Sequence, residues 1–183
     1  MPTSTSYFSQ PAPQANAITA IDAAVYLVQE YNRRFNEHID ELKLHKLLYF
    51  SQRESFLLQG EPMFSDTFEA WMHGPVILSV RKQYKTGELF DYELPNLDEV
   101  SLQIFDEVLS TYGHISSWDL SNITHREISW RNAREGIPEG VNGNNPMLLE
   151  DIRKDANRRS CLLAQRGIAM LRKGEFDVRD FYK

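Results

Sequence analysis

A chain of 183 residues, of which 42% are hydrophobic, is long enough to bury an ordinary core in one compact domain. Its formal net charge of −6 at pH 7 argues against general binding to nucleic-acid phosphates and is compatible with a basic protein partner. No apolar run approaches the roughly 20 residues that a membrane-spanning helix needs, and the single cysteine excludes a disulfide framework within the chain, which fits a reducing cytoplasm.

The N-terminal residues 1–16 are rich in Pro, Ser, Thr and Gln, and they lack the basic start and apolar core of a secretory signal. We expect a disordered lead-in there, followed by one helical domain over residues 17–183. Thr19 and Asp22 have the spacing of a capping box, with Asp in place of the usual Glu. Apolar residues at helical spacing follow, and they predict a first helix over residues 19–34.

Apolar residues at helical spacing also predict a second helix, over residues 42–58. Gly60 can take the left-handed conformation that ends a helix, and Pro62 prevents the helix from resuming. We expect Tyr49 and Arg53 to occupy exposed positions of this helix. Residues of these two types often dominate the energy of protein interfaces, so both are candidate anchors for a partner.

The next segment predicts a short strand and a third helix. Phe68, Ala70 and Met72 alternate with Glu69 and Trp71, so successive side chains would point to opposite faces, which is typical of a strand. Gly74 and Pro75 follow directly, and a proline suits the first position of a helix. We therefore expect the third helix to run from Pro75 to about residue 85 and to end at Gly87.

The remainder of the chain is predicted to be mainly helical. Asn96 has the spacing of an N-cap for a fourth helix, which Gly113 would end. The later predicted elements are a short helix starting at Ser117, a turn or two over residues 128–134, a loop over 136–146, and a long helix over 146–172. The predicted fold is therefore mainly α, with about six helices and at most a small minor strand pair.

The sequence contains no recognised catalytic or metal-binding motif. No two of the five histidines have a zinc-site spacing, and there is no phosphate-binding loop or nucleophile elbow. Cys161 lies in an apolar helical run and is predicted to be a small buried residue. Trp71, Trp118 and Trp130 are predicted to be chiefly core residues. An enzyme whose site assembles from distant residues, such as His73, His125 and a carboxylate, stays open as an alternative.

Charge is unevenly distributed. Residues 88–107 contain seven acidic and no basic residues, whereas residues 153–173 contain seven basic residues and one acidic residue. One interpretation is a pair of solvated helix faces, and the other is an acidic surface that docks a basic partner. The candidate partner-binding residues are Asp91, Glu93, Asp98 and Glu99 in the acidic stretch, Tyr49 and Arg53 in the second helix, and Phe181 and Tyr182 in the C-terminal tail.

Four segments occur in an order that is typical of one family. They are a Lys-Leu-x-Lys-Leu-Leu-Tyr-Phe-like helix at residues 43–50, a Gly-x-Pro step at 60–64, Glu-Ala-Trp-x-x-Gly-Pro-Val at 69–76, and Leu-x-x-x-Thr-His-x-x-x-x-Trp at 120–130. This succession resembles the Panacea, or SocA-like, domain of bacterial and phage antitoxins. Met63 replaces the common Leu of the second segment, and His73 stands where an aromatic residue is often found. The resemblance covers about residues 19–130.

The resemblance implies an antitoxin of a type II toxin–antitoxin pair that neutralises a cognate toxin by direct protein binding. Such pairs are often carried by phages and mobile elements. The resemblance implies no enzyme activity and no cofactor. A variant of the same function is a proteolytic adaptor, which would deliver the toxin to a protease and so have a protease as a further partner. We expect no direct binding to nucleic acid or to a membrane.

Overall fold

A computed structural model describes residues 18–173 of the chain, and its elements confirm a mainly α fold. The described part contains seven α-helices and a single pair of short strands. The elements are α1 (Ala20–Phe35), α2 (Glu41–Gln59), β1 (Glu69–Trp71), β2 (Gly74–Val76), α3 (Leu78–Thr86), a 3-10 turn (Glu88–Phe90), α4 (Glu99–Tyr112), α5 (Ser117–Thr124), α6 (Ile128–Ala133) and α7 (Leu149–Lys173). The predicted lead-in over residues 1–16, and Phe181 and Tyr182, lie outside the described residues.

The first two helices begin and end where local signals predict. The Thr19 hydroxyl accepts a hydrogen bond from the backbone N–H of Asp22, and the Asp22 carboxylate accepts one from the backbone N–H of Thr19 at 2.8 Å. This reciprocal pair is the predicted capping box. Gly60 ends α2 at φ 76°, in the left-handed conformation that favours glycine.

The helix α2 lies at the centre of the fold. It packs against α1, α4, α5, α7 and β2, and every residue from 43 to 56 is buried. The prediction that Tyr49 and Arg53 are exposed is therefore wrong, because their exposed fractions are 0% and 3%. A helix that is covered on all sides has no solvent face, so its polar side chains find their partners inside the protein.

The predicted strand forms, but it pairs with the segment that was expected to start a helix. β1 and β2 are antiparallel, with Trp71 opposite Gly74. Gly74 has a φ of 105°, which is not a helical conformation, and α3 begins only at Leu78. The predicted start of the third helix at Pro75 is thus wrong, because the chain first reverses through the hairpin between Trp71 and Gly74.

Two further expectations fail at exposed positions of the described chain. The N-cap of α4 is Asp98 rather than Asn96, and its carboxylate accepts the backbone N–H of Ser101 at 2.7 Å. Cys161 is exposed rather than buried, because α7 buries residues such as Ile152 nearer its start while the Cys161 region lies at the surface. The predicted long helix forms as α7 and is continuous from Leu149 to Lys173. No helix in residues 18–173 combines the length and the apolar character that crossing a bilayer requires.

Candidate functional site

Arg53 is the centre of a buried polar network. Its Nη1 donates to Glu127 Oε1 at 2.6 Å, and its Nη2 donates to Tyr112 Oη at 2.6 Å and to Glu54 Oε1 at 2.8 Å. Tyr112 lies at the end of α4, and Glu127 is the N-cap residue of α6. One guanidinium therefore joins the central helix to two elements that are distant in the sequence.

Tyr49 has a comparable role on the same helix. Its hydroxyl donates to Asp155 Oδ2 at 3.0 Å and lies 3.0 Å from Ser129 Oγ. Asp155 also accepts the backbone N–H groups of Ile128 at 2.6 Å and of Ser129 at 2.9 Å. A carboxylate of α7 thus satisfies free N–H groups at the start of α6. Tyr49, predicted to be a partner anchor, instead connects α2, α6 and α7.

The charges of this network are held in a strongly desolvated environment. Burial, opposed by Arg53 and reinforced by Asp155, raises the pKa of Glu127 to about 7. Burial also raises the pKa of Tyr49 well above its ordinary value. Arg159 of α7 places its Nε 2.6 Å from Glu54 Oε1. These contacts pair the buried charges with one another, which indicates a structural network rather than a binding surface.

A second buried group links α2 to the hairpin. Lys46 is completely buried, and its Nζ donates to the Pro75 carbonyl at 3.1 Å. A Cβ added at Gly74 would lie 2.5 Å from Lys46 Cε and 2.6 Å from Thr124 Oγ1. Burial lowers the pKa of Lys46 to about 7. The Lys46 side chain and the Gly74-Pro75 pair therefore fit together only because residue 74 has no side chain.

An open cavity lies between the hairpin, α6 and the loop that follows α6. Its volume is about 590 Å³. It contains both His73 and His125, the histidines of the alternative enzyme hypothesis, together with the carboxylate of Glu139. The lining residues are Met72, His73, His125, Trp130, Arg131, Arg134, Ile137, Glu139 and Gly140.

One wall of the cavity is a stack of three side chains. The rings of His125 and Trp130 are stacked with centroids 4.1 Å apart, and the Arg134 guanidinium lies 5.1 Å from the Trp130 ring centroid. Arg134 donates to the carbonyls of Ala70 at 3.1 Å and Val141 at 2.7 Å. These bonds attach the loop to β1, so the wall is held in place from both sides.

The cavity offers no activated nucleophile among the described residues. Ser121 Oγ lies 3.4 Å from His125 Nε2, but it donates to the His73 carbonyl at 2.8 Å and is only 1% exposed. The pKa of His125 is lowered, first by burial and then by Lys46. Within the described residues no group of three or more His, Cys, Asp or Glu side chains could hold a metal ion.

The structure places the acidic candidate residues on the surface and does not test their role. Asp91, Glu93, Asp98 and Glu99 are all exposed. Asp98 and Glu99 lie at the start of α4, where negative charge is favourable for a helix. The prediction that Trp118 is a core residue is wrong, because its side chain is 61% exposed and its ring contacts His73 at a centroid distance of 5.1 Å.

One of the three comparisons with known proteins gives a match. Residues 44–131, just under half of the chain, match the family model described as "Antitoxin SocA-like, Panacea domain". This match confirms the resemblance predicted from the four motifs. It covers most of α2, the hairpin, α3, α4, α5 and the start of α6, and so includes the histidines of the cavity. No curated protein and no solved structure matches the chain.

Proposed function

We propose that the protein is the antitoxin of a type II toxin–antitoxin pair and that it neutralises a cognate toxin in the cytoplasm by direct binding. The observation that carries the proposal is the match of residues 44–131 to the antitoxin-like Panacea family. Such inhibition needs a stable interface, which typically buries about 1,200–2,000 Å² in total. The buried network of α2 would then serve to hold the exposed docking residues in place.

The direct test is co-expression with the reading frame that neighbours the gene. We expect growth to be rescued and the two proteins to purify together. The same rescue in a host that lacks its major proteases would support neutralisation by binding, whereas rescue only in a protease-competent host would support the adaptor variant. A toxic neighbour that is neither rescued nor bound would contradict the proposed function.

One observation favours a second candidate function, a hydrolase or transferase. His73, His125 and Glu139 line a single cavity, and these side chains can act as general acids or bases. Because Ser121 is buried and already donates its hydrogen bond, the described residues supply the cavity with acid–base groups, and water would have to be the nucleophile. The match to an antitoxin-like family is nevertheless the stronger observation, so we expect binding, rather than turnover, to account for neutralisation.

A double variant separates the two functions. His73→Asn with Glu139→Gln removes the exposed acid–base groups of the cavity, and both side chains are exposed, so the fold should persist. We expect growth rescue at the wild-type level in the co-expression assay. Loss of rescue with unchanged co-purification would instead favour catalysis and contradict neutralisation by binding alone.

The acidic surface gives a further prediction about docking. We expect Asp91→Lys with Glu93→Lys to slow association with a basic toxin about tenfold at low salt, and the difference to disappear as salt screens the charges. Both residues are exposed and lie outside the α-helices, so the free energy of unfolding should change by less than about 0.5 kcal/mol. Association rates measured across a salt series would test this.

The matched control reverses two exposed acidic residues elsewhere, Glu61→Lys with Glu135→Lys. Equal association rates for the control and the test variant would leave the acidic stretch without a role in docking. Asp98 is unsuitable for this test, because its carboxylate caps α4 and its loss costs about 1 kcal/mol of stability.

A further inference from the structure

The cavity beside His73 and His125 carries positive charge in a protein whose net charge is −6. Arg131 and Arg134 line it, and Glu139 is the single carboxylate among the lining residues. Within residues 18–166 neither arginine forms an ion pair with a carboxylate. The local charge of the cavity therefore has the opposite sign to that of the molecule.

Arg134 contributes a positive charge whose position is fixed by hydrogen bonds to the backbone. Its exposed fraction is 8%, and its described hydrogen-bond partners are backbone carbonyls, which accept three hydrogen bonds from its N–H groups without neutralising its charge. Burial is the largest cause of the lowered pKa of His125, and the positive charge of Arg134 lowers that pKa further. The cavity thus has a positive potential that a bound anion would relieve.

The remaining lining residues determine what kind of anion fits. Arg131 is exposed on α6, and its guanidinium can donate two parallel hydrogen bonds to a phosphate or carboxylate. Met72, Ile137 and Trp130 supply apolar surface in the same cavity. A volume of about 590 Å³ lies in the range that is typical of sites for small ligands.

We propose that this cavity binds a small molecule that combines an oxyanion, a phosphate or carboxylate, with an apolar or aromatic part. Arg131 holds the oxyanion, with the His73 imidazole beside it, and Met72 and Ile137 contact the apolar part. Arg134 positions the wall and supplies charge without direct contact through its bonded N–H groups. The proposal rests on the volume, the lining residues and the charge of the cavity, so it is independent of toxin neutralisation.

Isothermal titration calorimetry of the full chain at low ionic strength tests the proposal with three probes: adenosine monophosphate, benzoate and neutral adenosine. We expect at least one of the two anions to bind with a dissociation constant of about 1 mM or lower. Adenosine should have a dissociation constant at least about tenfold higher. Binding by only one anion identifies the preferred oxyanion. No heat from either anion, or adenosine binding as tightly as the anions, would overturn the proposal.

Arg131→Gln keeps a polar, hydrogen-bonding side chain, although a shorter one, and removes the charge. We expect it to weaken anion binding about tenfold or more, with an unchanged melting temperature because the side chain is exposed. The control is Arg126→Gln, an exposed arginine on the turn between α5 and α6 that is not among the lining residues. Equal affinities of the Arg131 and Arg126 variants would contradict the assigned site.

Discussion

Replacing Arg53 with methionine is expected to lower the free energy of unfolding by about 3–5 kcal/mol, the usual cost of removing one partner of a buried ion pair. The change leaves Glu127 buried without its cation and leaves the Tyr112 hydroxyl without its guanidinium partner. Methionine fills much of the same volume, so the loss would come from charge and hydrogen bonding rather than from a large void. In a chain of this length the melting temperature should fall by about 10 °C.

Two control variants determine the origin of that loss. Arg33→Met breaks an ion pair with Glu30 at the surface, where the Arg33 side chain is 70% exposed, and should leave the melting temperature nearly unchanged. Adding Glu127→Gln to Arg53→Met removes the uncompensated carboxylate, so the double variant should be more stable than Arg53→Met alone. A double variant that is no more stable would show that packing, rather than charge, sets the cost.

Gly74→Ala is expected to destabilise the fold by about 2–6 kcal/mol, the sum of backbone strain and overpacking, each of order 1–3 kcal/mol. Alanine rarely adopts the φ of 105° found at residue 74. Its Cβ would also lie 2.5 Å from Lys46 Cε and 2.6 Å from Thr124 Oγ1. Lys46 and Thr124 are fully buried, so neither can move aside into solvent. Chemical denaturation of the wild-type and Gly74→Ala proteins would measure this difference in the free energy of unfolding.

Gly87→Ala is the matched control, because Gly87 also has a positive φ, 83°, but a Cβ there meets no atom within 4 Å. Gly87→Ala should therefore lower the free energy of unfolding by only about 1–2 kcal/mol, the cost of placing alanine in a left-handed conformation. Shortening the opposing side chain with Lys46→Ala should recover part of the loss in the Gly74→Ala protein. Equal destabilisation at the two glycines would mean that contact with Lys46 contributes nothing.

The helix boundaries that could be predicted are those set by neighbouring residues. The Thr19–Asp22 capping box and Gly60 act within one helical turn, and both function as expected. The Gly74-Pro75 pair is compatible with a helix start and with a hairpin. In the structure, residues 74–76 pair with β1, and this pairing makes the segment a hairpin strand rather than a helix start. The order of the residues alone does not reveal that pairing.

Exposure could not be predicted for the aromatic and charged residues, because distant elements decide it. Tyr49 is buried and donates to Asp155, 106 residues further along the chain, while Trp118 on the short α5 contacts the His73 ring and is exposed. The cavity is likewise built from the hairpin, α6 and the following loop. None of these segments has a recognisable site motif by itself. From the sequence, the histidines of the cavity could therefore be proposed only as part of the alternative enzyme hypothesis.

The enclosure of α2 has a consequence for measuring partner capture. An amide proton in a helix that five elements cover can exchange with solvent only when most of the fold opens, so the slowest exchange rates of α2 measure global opening. A partner that binds only the folded protein slows that opening by an amount set by its concentration and affinity. Hydrogen exchange in α2, which lies away from the surface, would therefore report the affinity of a toxin wherever on the surface it docks.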